Sequence, residues 1–263
     1  ASPAGALRDR LVLKAMSLRA EEAAKDAPQA IARRAGSARP DAITHATLQR
    51  VLGDPDQTDA NFDLLVYGAD HALRWLGADQ TPAQNAALRA AWDRALAGLA
   101  ERARLSWTDR LAAVDARVSL AKLGDEKAPV PAELVAAVRA AAVRADREAR
   151  TPAERQTVIS AAADVLANAG LLPESDRMLT DELARSPAPY YFMLGLAANA
   201  RARDDKALAL DWYARAHDAA RGPATRLQWG ATHVRALIDL APGDVRAVEQ
   251  AAVAVLGELE PEP

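Results

Sequence analysis

Apolar residues return every three or four positions along most of this chain, with arginines and acids between them, which is the spacing of a single buried stripe on a helix. Leu7, Leu11, Ala15 and Leu18 predict a helix over 7–24. Phe62, Leu65, Val66, Ala69, Leu73 and Leu76 predict another over 59–76, ended by Gly77. Proline, glycine and capping residues cut the rest into helices over 82–104, 107–123, 131–149, 152–169 and 172–185, twelve or thirteen pieces in all. Pro28 and Pro40 bracket a short helix, Asp41 caps one running to Leu52, and residues 53–56 read as a polar loop. No alternating strand pattern interrupts these segments; even the valine-rich run Leu134-Val135-Ala136-Ala137-Val138 lies inside a helical period. Residues 124–131 carry two prolines, a glycine and three charges, so a linker is expected there between regions 1–123 and 131–259.

The second region shows a weak self-similarity. Ala163, Gly195 and Gly230 recur at spacings of 32 and 35, each within an apolar helical run. Small residues at such a period mark stacked helical hairpins, and the placing of Gly170, Ser175, Pro187, Ala209, Ala216 and Pro223 suits the tetratricopeptide pattern. The expected fold is all-α: antiparallel hairpins forming an α-solenoid, irregular over 1–123 and tetratricopeptide-like over 131–259. Such scaffolds bind through a concave surface, which favours an interaction module over an enzyme.

Composition agrees with a helical chain. Of 263 residues, 66 are alanine and only 13 glycine. The net charge of −3 is spread over 33 basic and 36 acidic residues with no basic stripe, so nucleic acid is not an expected partner. No apolar run is long enough to cross a bilayer. The absence of cysteine removes disulfides, thiol nucleophiles and thiol redox chemistry from this chain. Its start, Ala1-Ser2-Pro3 without methionine, reads as a processed or excised product.

The run 189–200, then Ala209-Leu210-Asp211-Trp212-Tyr213, then 222–230, resembles the C-terminal helical region of bacterial periplasmic thioredoxin-family proteins. The resemblance is confined to about 133–258. It implies a helical accessory architecture and a periplasmic or secreted setting, with a thioredoxin-fold domain as an expected partner. The redox motif of that family has no counterpart here, because the chain has no cysteine.

The residues offer little chemistry. His45, His71, His217 and His233 are not spaced as a ligand pair, so no metal is expected, and no glycine-rich phosphate loop or nucleophile elbow is present. No cofactor and no catalytic residue are therefore assigned. Tyr190-Tyr191-Phe192 cannot all face one core, since successive helical residues turn about 100°. In the repeat register the exposed side of the first helices presents Asp164, Asn168, Tyr190, Phe192, Asn199 and His233, a set able to hydrogen-bond an extended protein segment. The expected function is non-catalytic protein or peptide binding, or scaffolding beside a periplasmic thioredoxin-type protein. Two alternatives stay open: an enzyme with a pocket between the two regions, and a purely structural domain.

Overall fold

The computed structural model describes residues 2–26, 40–78 and 80–258. Among them every regular element is helical. The helix expected between Pro28 and Pro40 lies outside the described residues. By contact the chain divides into two compact units, Ala1–Ala137 and Val138–Pro263, so that 124–131 falls within the first.

The first unit comprises α1 (Pro3–Asp26), α2 (Ala42–Gly53), α3 (Pro55–Ala60), α4 (Phe62–Val66), α5 (Ala69–Gly77), α6 (Pro82–Ala100), α7 (Trp107–Ala121) and the start of α8 (Ala132–Glu148). Asp41 caps α2 by accepting from the Thr44 amide (2.7 Å), as its position predicts. The stretch 59–76 does not form the single helix its apolar period predicts. Asn61 ends α3, and Gly68 takes the left-handed conformation (φ 88°), which divides the stretch among α3, α4 and α5. The expected loop at 53–56 is likewise shorter: Asp54 accepts from the Asp56 and Gln57 amides, and Pro55 opens α3.

Trp92 of α6 is fully buried and donates from Nε1 to the Leu65 carbonyl (2.9 Å), tying α6 to α4. Around it Leu48, Leu65, Leu76, Leu96, Leu99 and Leu111 fill the core. Two carboxylates are buried at the edge of this unit, each held by arginine. Asp9 accepts from Arg50 (3.1 and 2.5 Å), and Asp59 is paired with Arg102 and Arg104.

The second unit continues α8 and adds α9 (Pro152–Asn168), α10 (Leu172–Leu183), α11 (Tyr190–Ala202), α12 (Lys206–Ala219), α13 (Pro223–Leu240) and α14 (Val245–Gly257). From α9 onward each helix packs on the next, and α9 also touches α11. Ile159, Ala163, Leu179, Phe192 and Leu196 form the buried centre, with Met178, Leu183 and Trp212 packed against it.

The turn after α9 returns after α11. Gly170 and Asp204 are both left-handed (φ 82° and 58°). The Leu171 amide donates to the Leu166 carbonyl (2.8 Å), and the Asp205 amide to the Ala200 carbonyl (2.9 Å). These equivalences place the copies 34 residues apart, and α10 and α12 start at that same offset. The buried residues follow it: Val158 with Phe192, Ala162 with Leu196, Ala163 with Ala197, Leu166 with Ala200. The structural counterpart of Ala163 is therefore Ala197, not Gly195, and the spacing of 32 read from sequence is two residues short. Gly195 and Gly230 nonetheless sit at close helix contacts. A Cβ at Gly195 would lie 2.9 Å from Leu179 Cδ1, and one at Gly230 would lie 2.5 Å from Val255 Cγ2.

Candidate functional site

The surface residues picked out by sequence separate into two groups. Asp164 is exposed and Asn168 half-buried, one turn apart on α9. His233 is half-buried on α13, and burial, aided by the neighbouring His217, holds its imidazole below the ordinary pKa. Phe192 and Asn199 point inward instead. Phe192 is in the buried centre, and Asn199 donates from Nδ2 to Ser175 Oγ and Asp176 Oδ1, both at 2.8 Å, bracing α11 against α10. Both belong to one helical stripe, since 192, 196, 199 and 200 fall on the same face of α11.

Tyr190 and Tyr191 form an aromatic cluster with Trp229 of α13. The Tyr190 and Tyr191 rings are 4.7 Å apart, and Trp229 lies 6.1 Å from Tyr190 and 5.6 Å from Tyr191, the latter edge-on at 81°. Tyr191 keeps 39% of its surface exposed while Phe192 beside it keeps none, so the tyrosine supplies the outward edge of the triplet. Trp229 is half-buried, and its Nε1 has no hydrogen-bond partner. The triplet's expected division, with at least one ring turned away from the core, falls on Tyr191. The inward stripe of α11 already contained the signal, because fixing Phe192 inward turns Tyr191 about 100° away.

Below this cluster, His217 is buried with Nε2 3.8 Å from Glu258 Oε1, and Arg226 donates to the same oxygen (Nε, 2.7 Å). Arg226 is the main reason the Glu258 carboxyl titrates below its ordinary value.

A second feature of this unit is a charged cleft of about 410 Å³ between α8, α9 and α10. Arg155 is its centre. It donates to buried Glu182, to Asp146 Oδ1 (2.7 Å), and to the carbonyls of Asp146 and Ala149, both at 3.1 Å. Arg139 makes a two-pronged bond to Glu174, which lowers the acid's pKa. The pairing is mutual, so this cleft reads as an ionic brace between helices.

Hydrolytic or acid-base chemistry would need a nucleophile held against a base, or carboxylates facing across a cleft. Among the described residues His71 lies beside its neighbour Asp70 (Nε2 to Oδ2, 3.6 Å), and His45 Nδ1 contacts Gln80 Nε2 (2.9 Å). Among the described residues no group of three or more His, Asp or Glu is placed to hold a metal ion, and no helix is long and apolar enough to cross a membrane. Among the described residues the chain is all-helical, and its second unit carries the cluster of Tyr190, Tyr191 and Trp229. No family model matches the chain, and comparisons with curated proteins and with solved structures returned no match.

Proposed function

We propose that the second unit is a tetratricopeptide-like α-solenoid that binds a protein segment without catalysis, as an interaction or scaffolding element. The observation that carries this reading is the recurrence, 34 residues apart, of the turn containing Gly170 and Asp204, with its backbone bonds and left-handed residue. That period is the length of a tetratricopeptide repeat, in which the first helix of each hairpin lines the binding surface. In this register α9, α11 and α13 supply the surface, presenting Asp164, Asn168, Tyr190, Tyr191, Trp229 and His233. Tyrosine and tryptophan are strong anchors at interfaces because they bury much area for little side-chain entropy. The polar groups of α9 suit the backbone of an extended segment. The resemblance to periplasmic thioredoxin-family proteins makes a thioredoxin-fold domain the first partner to try, and a periplasmic or secreted setting goes with it.

Peptides selected from a random display library on the intact chain test this reading. The expected result is at least a tenfold loss of affinity, about 1.4 kcal/mol, on Tyr191→Ala, and a further loss on Asp164→Ala with Asn168→Ala. Selected peptides that bind all three variants as they bind the natural chain would remove the surface from consideration.

A further inference from the structure

The first unit carries two adjoining clefts that share Asn85 and Arg89 of α6. The larger, about 610 Å³, runs between α6, α7 and the segment leading into α8. Its walls are chiefly apolar, including Pro82, Ala86, Ala90, Leu120 and Leu134. The size and apolar lining are those of a small-molecule site. Its central ion pair is internally matched: Arg117 donates to Asp93 at 2.7 and 3.3 Å. Glu133 is exposed at its edge, in the first turn of α8.

The smaller cleft, about 320 Å³, has a different charge. Arg74 and Arg89 line it together with Leu73, Gly77 and Leu123, and no acidic residue is in its lining. Arg89 donates only to the Leu123 carbonyl at 3.4 Å, near the outer limit of a hydrogen bond, and among the described residues no carboxylate pairs with it or with Arg74. Every other arginine discussed above has an acid or a carbonyl at close range. Arg89 is also half-buried, where a guanidinium without a counter-charge is worse placed than one in open water.

We propose that the joined clefts bind a small organic anion, with its carboxylate or phosphate group at Arg74 and Arg89 and its apolar body along Pro82, Ala86, Ala90 and Leu120. The planar guanidinium is suited to two-pronged recognition of such oxyanions. The apolar body supplies the remaining affinity through burial. This site is distinct from the protein-binding surface proposed for the second unit.

Calorimetric titration of the intact chain with octanoate, octanol and acetate tests both halves of the proposal. The expected result is saturable octanoate binding, at least tenfold tighter than octanol or acetate. Arg74→Gln, an exposed position, and Arg89→Gln should each weaken octanoate at least tenfold in protein whose circular dichroism spectrum is that of the natural chain. Octyl phosphate in place of octanoate distinguishes the two head groups, and tighter binding by either supports the site. No saturable binding of either amphiphile, equal binding of octanoate and octanol, or binding unchanged in both variants would overturn it. The comparison of ligands on the natural chain decides the matter even if Arg89→Gln does not fold.

Discussion

Adjacent residues of the aromatic triplet have opposite duties. Phe192 has no exposed surface and packs with Ile159, Leu179 and Leu196, so Phe192→Ala should cost about 3–5 kcal/mol, whereas Tyr191→Ala, which loses only ring contacts with Tyr190 and Trp229, should cost about 0.5–1.5 kcal/mol. Thermal unfolding of the two variants checks the contrast. Gly230 gives a sharper test of close approach. The added methyl of Gly230→Ala meets Val255 Cγ2 at 2.5 Å and His217 Nε2 at 2.9 Å, from two different helices. Relieving one contact does not relieve the other, and the expected loss is about 1–3 kcal/mol by urea unfolding. Asn199 belongs here too. Its bonds to Ser175 and Asp176 give it a bracing role that a helical period does not reveal.

The elements take their limits from local chemistry that reads directly off the chain. Thr81 and Thr151 each accept from the amide three residues on, while Gln84 and Glu154 bond back to the cap, which explains why α6 and α9 begin where a proline follows a threonine. The helix ends at Gly170 and Asp204 make the same turn with different residues. Gly170→Ala should cost about 1 kcal/mol, because alanine is strained at φ 82°. Asp204→Gly should be neutral or stabilising by up to about 1 kcal/mol, provided the glycine's greater freedom in the unfolded chain does not cancel the gain. Opposite signs in a chemical-denaturation series support the equivalence of the two turns; a large loss at Asp204 would show that its side chain has another task. The broken stretch 59–76 marks the limit of such reading. Its apolar period is continuous, yet Asn61 ends α3 and Gly68 adopts a left-handed conformation ahead of α5, a break that the spacing of apolar residues does not show.

For the molecule as a whole, titration should follow the carboxylates and one histidine. Asp63 and Glu174 are held below their ordinary values by hydrogen bonds from Arg10 and Arg139, Asp41 by the Thr44 amide it caps, and Glu154 by the amides of Thr151 and Arg150 just before α9. A depressed folded pKa adds stability that is present above the unfolded value, about 4, and is lost as pH falls through the folded one. His233 is depressed as well, mainly by burial. Its contribution is therefore complete above about 6.5 and shrinks as pH falls below that, because the fold disfavours the imidazolium. Melting temperature should decline modestly from pH 7 to 5 and steeply below 4, and His233→Gln should flatten the upper part of the curve. Circular dichroism melts across that range measure both, and an upper limb unchanged by the substitution would remove His233 as its cause.

The amino-acid sequence determined the helical class, most helix limits, the caps and the exclusion of thiol chemistry, because these depend on composition and on contacts within a turn or two. It also placed small residues where helices approach closely, though two residues out of register at the second copy. Only the tertiary structure decided that register, since Gly195 and Ala197 are both small and both helical, and their roles differ by which helix lies opposite. The same holds for Tyr191 against Phe192, for the ionic brace around Arg155, and for the meeting of Arg74 and Arg89 in one cleft whose lining carries no acid. Exposure and pairing are properties of what lies across a gap, and residues distant in the chain supply it.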